Sequence, residues 1–275
     1  MARIDTLNNF LTDVADSIRE KKGSTGVIPA ANFDTEIESI PSGGGVDIND
    51  YFNVTINNQS RYDFSNKHYI KRLPKVTVAP SVVTIVSSFA KWSLTTAPEI
   101  DFANVVNVAY LFESALNLVS TPEYDLKNIT QMDGMFSDCQ SLESVNILNT
   151  NKATTAQTVF ANCSALIEVP ALNLENCQNV RLMFINCRNL TNLGGLVDLG
   201  KAFLTTASEN YTNYTITLSS SYKLTHESLM NVINNLYDIA TAGVPAQQLI
   251  IGATNLAKLT ESEIKIATDK GWTVS

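Results

Sequence analysis

Phe112, Phe136, Phe160 and Phe184 stand 24 residues apart, and the residues around them recur at the same offsets. Three positions on come Ala115, Cys139, Cys163 and Cys187, and six positions on come Leu118, Leu142, Leu166 and Leu190. Nine positions on come Thr121, Val145, Val169 and Leu193, while Leu111, Met135, Val159 and Met183 precede the phenylalanines. A segment of this length cannot enclose a core by itself, so its apolar residues must be covered by the segments before and after it. An upstream unit at Phe89 is one residue short and has Trp92 where the others have Ala or Cys.

Two runs carry the pattern most fully: Met132-Asp133-Gly134-Met135-Phe136-Ser137-Asp138-Cys139-Gln140-Ser141-Leu142 and Val159-Phe160-Ala161-Asn162-Cys163-Ser164-Ala165-Leu166-Ile167-Glu168-Val169-Pro170. They resemble leucine-rich repeats, and more closely the BspA-like subclass of bacterial and bacteriophage surface proteins. Asn146 departs from the Pro found at Pro122 and Pro170, and Gly194-Gly195 interrupts the last unit, where the array is expected to meet a cap. The expected fold class is α/β: a leucine-rich-repeat solenoid over 89–199, with a β-rich N-terminal cap over 51–88 and an α/β C-terminal cap over 200–275.

Ahead of these, Ile4, Leu7, Leu11, Val14 and Ile18 step by three and four, which is an a/d heptad seam. Phe33, Ile37 and Ile40 form a second short amphipathic stretch, closed by Pro41-Ser42-Gly43-Gly44-Gly45. The spacing predicts a helical module over 1–41 that serves anchoring or oligomerisation, or packs on the repeats, with a flexible hinge over 42–50. The opening from Leu7 to Phe33 is similar to the N-terminal segment of virion proteins from phages of Gram-positive bacteria. The similarity implies attachment to other virion proteins through residues 1–41, and localisation to a virion made in the host cytoplasm.

In the N-terminal cap, Phe52, Val54 and Ile56 alternate with polar residues, and Val76 and Val78 continue in β-branched style. Beyond Leu199 the rhythm fades. Tyr211, Tyr214, Thr215, Ile216 and Leu218 predict a strand, and Thr225 is placed to cap a helix bearing Leu229, Val232, Ile233, Leu236 and Ile239. Leu249-Ile250-Ile251 and Trp272-Thr273-Val274 predict strands on either side of a short helix opened by a Thr260/Glu263 capping box.

With 44% apolar residues the chain has material for a real core, and its net charge of −8 disfavours nucleic acid as a partner. No apolar run approaches the roughly 18 residues of a membrane span, so no membrane insertion is expected. The N-terminus lacks a basic region followed by an apolar stretch, which fits synthesis in a cytoplasm. Of the four cysteines, three share one repeat offset and would form a ladder, so they read as small buried thiols, not as metal ligands converging on a point. The two histidines, His68 and His226, lie far apart, and no phosphate loop or calcium loop is present. No catalytic residue, metal or cofactor is expected.

Strands stacked in register display one side chain per unit along a continuous face, which suits recognition of an extended partner. Candidate outward residues are Ser120, Ser144, Glu168 and Asn192, with Tyr124, Tyr211 and Tyr214 as aromatic platforms for a sugar or a protein. The expected role is a non-enzymatic virion structural protein, a homo-oligomer that displays the repeats for binding a host-surface glycan or protein from a tail fibre or baseplate. The alternatives are a capsid fibre or decoration protein, or a bacterial surface adhesin.

Overall fold

The computed structural model describes residues 54–56, 75–204 and 215–275. The expected helical module over 1–41, the hinge, and the candidate residues Ile4, Leu7, Leu11, Val14, Ile18, Phe33, Ile37, Tyr211 and Tyr214 lie outside the described residues.

The chain comes back beside itself about every 24 residues. Thr84 pairs with Asn107, Asn107 with Gln131, Gln131 with Thr155 and Thr155 with Asn179, all in parallel. A second set of parallel pairings follows within each unit: Thr96 with Ser120, Ser144 with Glu168, and then β6 (Glu168–Val169) with β8 (Asn192–Leu193). The third set is made of β1 (Val54–Ile56), β2 (Lys75–Val78) and β3 (Glu99–Ile100) in one parallel sheet, of β4 (Glu123–Asp125) with β5 (Asn146–Leu148), and of β7 (Leu172–Asn173) with β9 (Leu196–Val197). Most of these strands are only two or three residues long because each is an edge of a turn. In β2 the residues alternate exposed and buried, with Val76 and Val78 inward.

Between the pairings the chain bends at the phenylalanines, and the bends hydrogen-bond from unit to unit. Phe112 N–H donates to the carbonyl of Met135 at 2.9 Å, Phe136 N–H to that of Val159 at 2.9 Å and Phe160 N–H to that of Met183 at 3.0 Å. The rings stack as a column: centroids of Phe89, Phe112, Phe136, Phe160 and Phe184 follow one another at 5.5, 5.6, 5.8 and 5.5 Å, with the planes within 18°. All five are fully buried, as are Leu118, Leu142, Leu166 and Leu190 at the next offset. One apolar column is broken by a hydroxyl. Phe102, Leu126, Thr150 and Leu174 share an offset and are buried, and Thr150 meets the need for a partner by donating Oγ1 to the carbonyl of Asn173 at 2.9 Å.

Each bend requires two left-handed residues. Tyr110, Gly134, Thr158 and Leu182 have φ of 57°, 57°, 53° and 57°, two positions before the Phe, and Ser114, Asp138, Asn162 and Asn186 have φ of 58° to 62°, two positions after it. Asp and Asn tolerate this region; Thr and Leu do so at a cost. The neighbouring units hold them there, since the N–H of Tyr110 donates to Asp133 at 2.7 Å and that of Thr158 to Arg181 at 3.0 Å. The side chains at the second site also chain together, with Asn162 Nδ2 donating to Asp138 and Asn186 Nδ2 to Asn162, both at 2.8 Å.

After the last unit comes a different construction. A parallel sheet of β10 (Ile216–Thr217), β11 (Gln247–Ile250) and β12 (Trp272–Val274) alternates with α1 (His226–Asn235), the single turn α2 (Ala253–Leu256) and α3 (Glu261–Asp269). Thr225 accepts from Ser228 N–H and caps α1, and Thr260 with Glu263 forms the full capping box on α3. α1 is shorter than its apolar spacing predicts: Leu236 turns extended at the C-terminus, so Leu236 and Ile239 are buried beyond the helix, not on its face. Lys270 explains how that end is satisfied, donating Nζ to the carbonyls of Ile233 and Asn234.

Candidate binding surface

The outward column begins with strand alternation. Val145, Val169 and Leu193 point into the core, so their neighbours Ser144, Glu168 and Asn192 point out, stacked by the pairings of Ser144 with Glu168 and Glu168 with Asn192. Ser120 occupies the same offset one unit earlier, where it pairs with Thr96 and not with Ser144.

α1 stands beside this column because Ser228 fastens it there. Buried Ser228 donates Oγ to the carbonyl of Thr191 at 2.9 Å and accepts from Leu193 N–H at 3.0 Å, while Thr225 N–H donates to the same Thr191 carbonyl at 3.0 Å. Gly195 lets the helix approach, since an added Cβ would lie 3.2 Å from the carbonyl oxygen of Asn231. An open groove of about 730 Å³ runs between the column and the start of α1.

Its lining is polar without a cation. Thr121 is occupied, accepting on Oγ1 from Asn146 N–H at 3.0 Å, and Thr225 and Ser228 serve the helix cap. Among the described residues, no hydrogen bond or ion pair engages the side chains of Ser144, Asn146, Glu168, Asn192, Glu227 or Asn231, all of which line the groove. The groove therefore offers one hydroxyl, three carboxamides and two carboxylates to whatever enters it.

Three of the four predicted column residues, Ser144, Glu168 and Asn192, are brought together here, and Ser120 lies one unit away. Tyr124 is a correction. It is fully buried, not an exposed platform: its ring lies parallel to Phe112 at 6.3 Å and edge-on to Phe102 at 5.1 Å, and its hydroxyl donates to the Pro98 carbonyl at 2.6 Å. Tyr124 sits at the inward position of β4, where alternation sends the middle residue of three to the core. Burial pushes its phenol up, so the proton stays on and the hydrogen bond is kept. Sequence reading missed Asn146, Glu227 and Asn231. The predicted cap at Thr225 does put Glu227 and Asn231 four apart on one helix face, but which face of the repeats that helix meets has no local signature.

The four thiols are buried and hydrogen-bonded to carbonyls. Cys139, Cys163 and Cys187 donate Sγ to the carbonyls of Phe112, Phe136 and Phe160, each one unit back, at 3.0 to 3.1 Å. Burial pushes all four thiols up, Cys177 and Cys187 to about 12, so none is a thiolate near neutrality. His226 is engaged with Glu263 at 2.8 Å, tying α1 to α3. Among the described residues no group of three or more His, Cys, Asp or Glu could hold a metal ion, and no helix is long and apolar enough to cross a membrane.

Residues 83–194 match a family described as Mycoplasma protein of unknown function, DUF285. The matched segment runs from beside Thr84, where the Thr84–Asn107–Gln131–Thr155–Asn179 pairings begin, to Gly194 in the groove lining, and leaves α1 outside it. No curated protein and no solved structure matches the chain.

Proposed function

We propose that this protein is a non-enzymatic recognition module, a leucine-rich-repeat solenoid carried on a bacteriophage particle by residues 1–41 and binding the surface of a Gram-positive host. The observation that carries the recognition role is the groove: unengaged polar side chains from successive units, at constant spacing, face more of the same on α1. Spare hydrogen-bonding capacity in an open, shallow, regularly spaced setting suits an extended ligand held by many modest contacts. Display in several copies would add avidity. The particle assignment rests on the resemblance of the N-terminal segment. The DUF285 match, whose description names Mycoplasma, favours a bacterial carrier as the second reading, and the recognition groove would make that carrier a surface adhesin.

Incubating the intact protein with Gram-positive cell walls tests the role. Saturable binding without release of reducing ends is the expected result; absence of binding, or release of sugars, overturns it. Antibody labelling of purified phage particles separates the two carriers, since a bacterial surface protein would leave the particles unlabelled.

A further inference from the structure

We infer that the groove between the Ser144–Glu168–Asn192 column and α1 is a subsite for an uncharged glycan strand bearing hydroxyl and acetamido groups. The inference rests on the recognition role proposed above and names the ligand class for it.

Charge decides against an anionic polymer. Glu168 and Glu227 line the groove, and no Lys or Arg does. An anionic strand such as a polyol phosphate would bring like charge against two carboxylates and find no cation to receive it. A neutral sugar fits better, because a carboxylate accepts strongly from sugar hydroxyls, while Asn146, Asn192 and Asn231 each both donate and accept, as an acetamido group does. Apolar contact is available at half-buried Pro170, whereas Val145, Val169 and Leu193 face the core beneath the groove, so a sugar ring would find some carbon beside the polar atoms.

Spacing decides for a strand over a single sugar. Neighbouring units are separated by roughly 4.8 Å, so the lining from Thr121 to Asn192 extends about 14 Å, several sugar rings in length. Each unit presents its own polar residue at that spacing. α1 closes the groove along one side near its far end, which gives the strand an end stop in Thr225 and Glu227 and makes recognition directional.

Calorimetry on the intact protein tests this with three probes: N-acetylated hexosamine oligomers of increasing length, the same oligomers with free amines, and a glycerol phosphate polymer. The N-acetylated series is expected to bind, to gain affinity with length until the groove is filled, and to be insensitive to added salt. Glu168→Ala and Asn192→Ala should each weaken binding about tenfold, the loss of one hydrogen bond to a charged or polar group. Glu168→Gln keeps the shape and should retain part of the affinity, which guards against a merely unfolded alanine variant. Preference for the amine or phosphate probe, no binding of any N-acetylated oligomer, or equal binding by the groove variants would overturn the glycan assignment. If cell walls bind and these outcomes appear, the groove inference fails alone; if cell walls do not bind either, the recognition role fails with it.

Discussion

The repeating segment over 83–194 and the C-terminal region are held together by opposite strategies. Between residues 83 and 194 one contact is made over and over: Phe on Phe, thiol to the carbonyl one unit back, N–H to the next unit's carbonyl. Between 215 and 275 single residues each make several contacts found nowhere else. Buried Asn255 donates Nδ2 to the carbonyls of Leu218, Ser221 and Ile251, and Lys258 reaches the carbonyls of Tyr222 and Leu224 and the Asn255 side chain. Repetition makes stability a sum over neighbouring units, whereas a hub makes it depend on one side chain. The repeats can present a uniform surface because no unit is special, and α1 can end the groove because it is.

The largest effect is expected in the column. Phe136→Ala removes a buried ring with a stacking partner on both sides, and should cost about 3–5 kcal/mol in urea unfolding. Because the damage sits between intact units, the unfolding should also lose cooperativity, with the repeats melting apart from the C-terminal region. A single sharp transition at an unchanged midpoint would break the contrast between summed units and hubs.

Asn255→Ala comes next, at roughly 1–3 kcal/mol, because it leaves buried carbonyls without their donor. Its signature should be local. Amide exchange should rise around Leu218, Ser221 and Ile251 while the amides of Phe112, Phe136 and Phe160 stay protected. Equal loss of protection in both regions would mean that the hub and the column form one cooperative unit.

Legibility in the sequence divides along the same line. The Phe, Cys and Leu columns could be found because one residue type returns at one offset, and the stacking of the rings follows from that return. The caps at Thr225 and Thr260 were legible because a cap is local. The outward column was legible by alternation, but the same alternation buries Tyr124, whose polar hydroxyl invited an exposed reading while Pro98 supplies a partner inside. Asn255 and Lys258 carry no signal of this kind: apart from Ile251 and each other, their partners lie 34 and 37 residues away for Asn255 and 34 and 36 for Lys258, without period. The left-handed bends were half legible: Asp138, Asn162 and Asn186 suit that backbone, but Tyr110, Thr158 and Leu182 do not announce it.

Gly134→Ala sharpens this point at a smaller scale. At φ 57° an alanine is strained by about 1 kcal/mol, and its Cβ would press on the Tyr110 ring, whose shift absorbs part of the clash. The midpoint of unfolding should fall accordingly. The loss should stay well below that of Phe136→Ala, because Thr158 and Leu182 already occupy the same place in other units.

The smallest effect belongs to the α3 cap and has a defined sign in pH. The Thr260 N–H and hydroxyl, and then His226, hold the Glu263 carboxyl below the ordinary carboxylate value of 4.5. A carboxyl depressed in the folded state stabilises fully above the unfolded value and loses that contribution as pH falls through the folded one. Glu263→Gln should therefore lower Tm slightly near neutrality, and the gap from the parent protein should close as pH falls below 4.5. A gap that stays constant through acid would mean that the cap acts through its shape alone. His226→Ala then isolates the remaining contact: because Thr260 supplies the larger part of the Glu263 interaction, the helix should stay capped and only the tie between α1 and α3 should loosen.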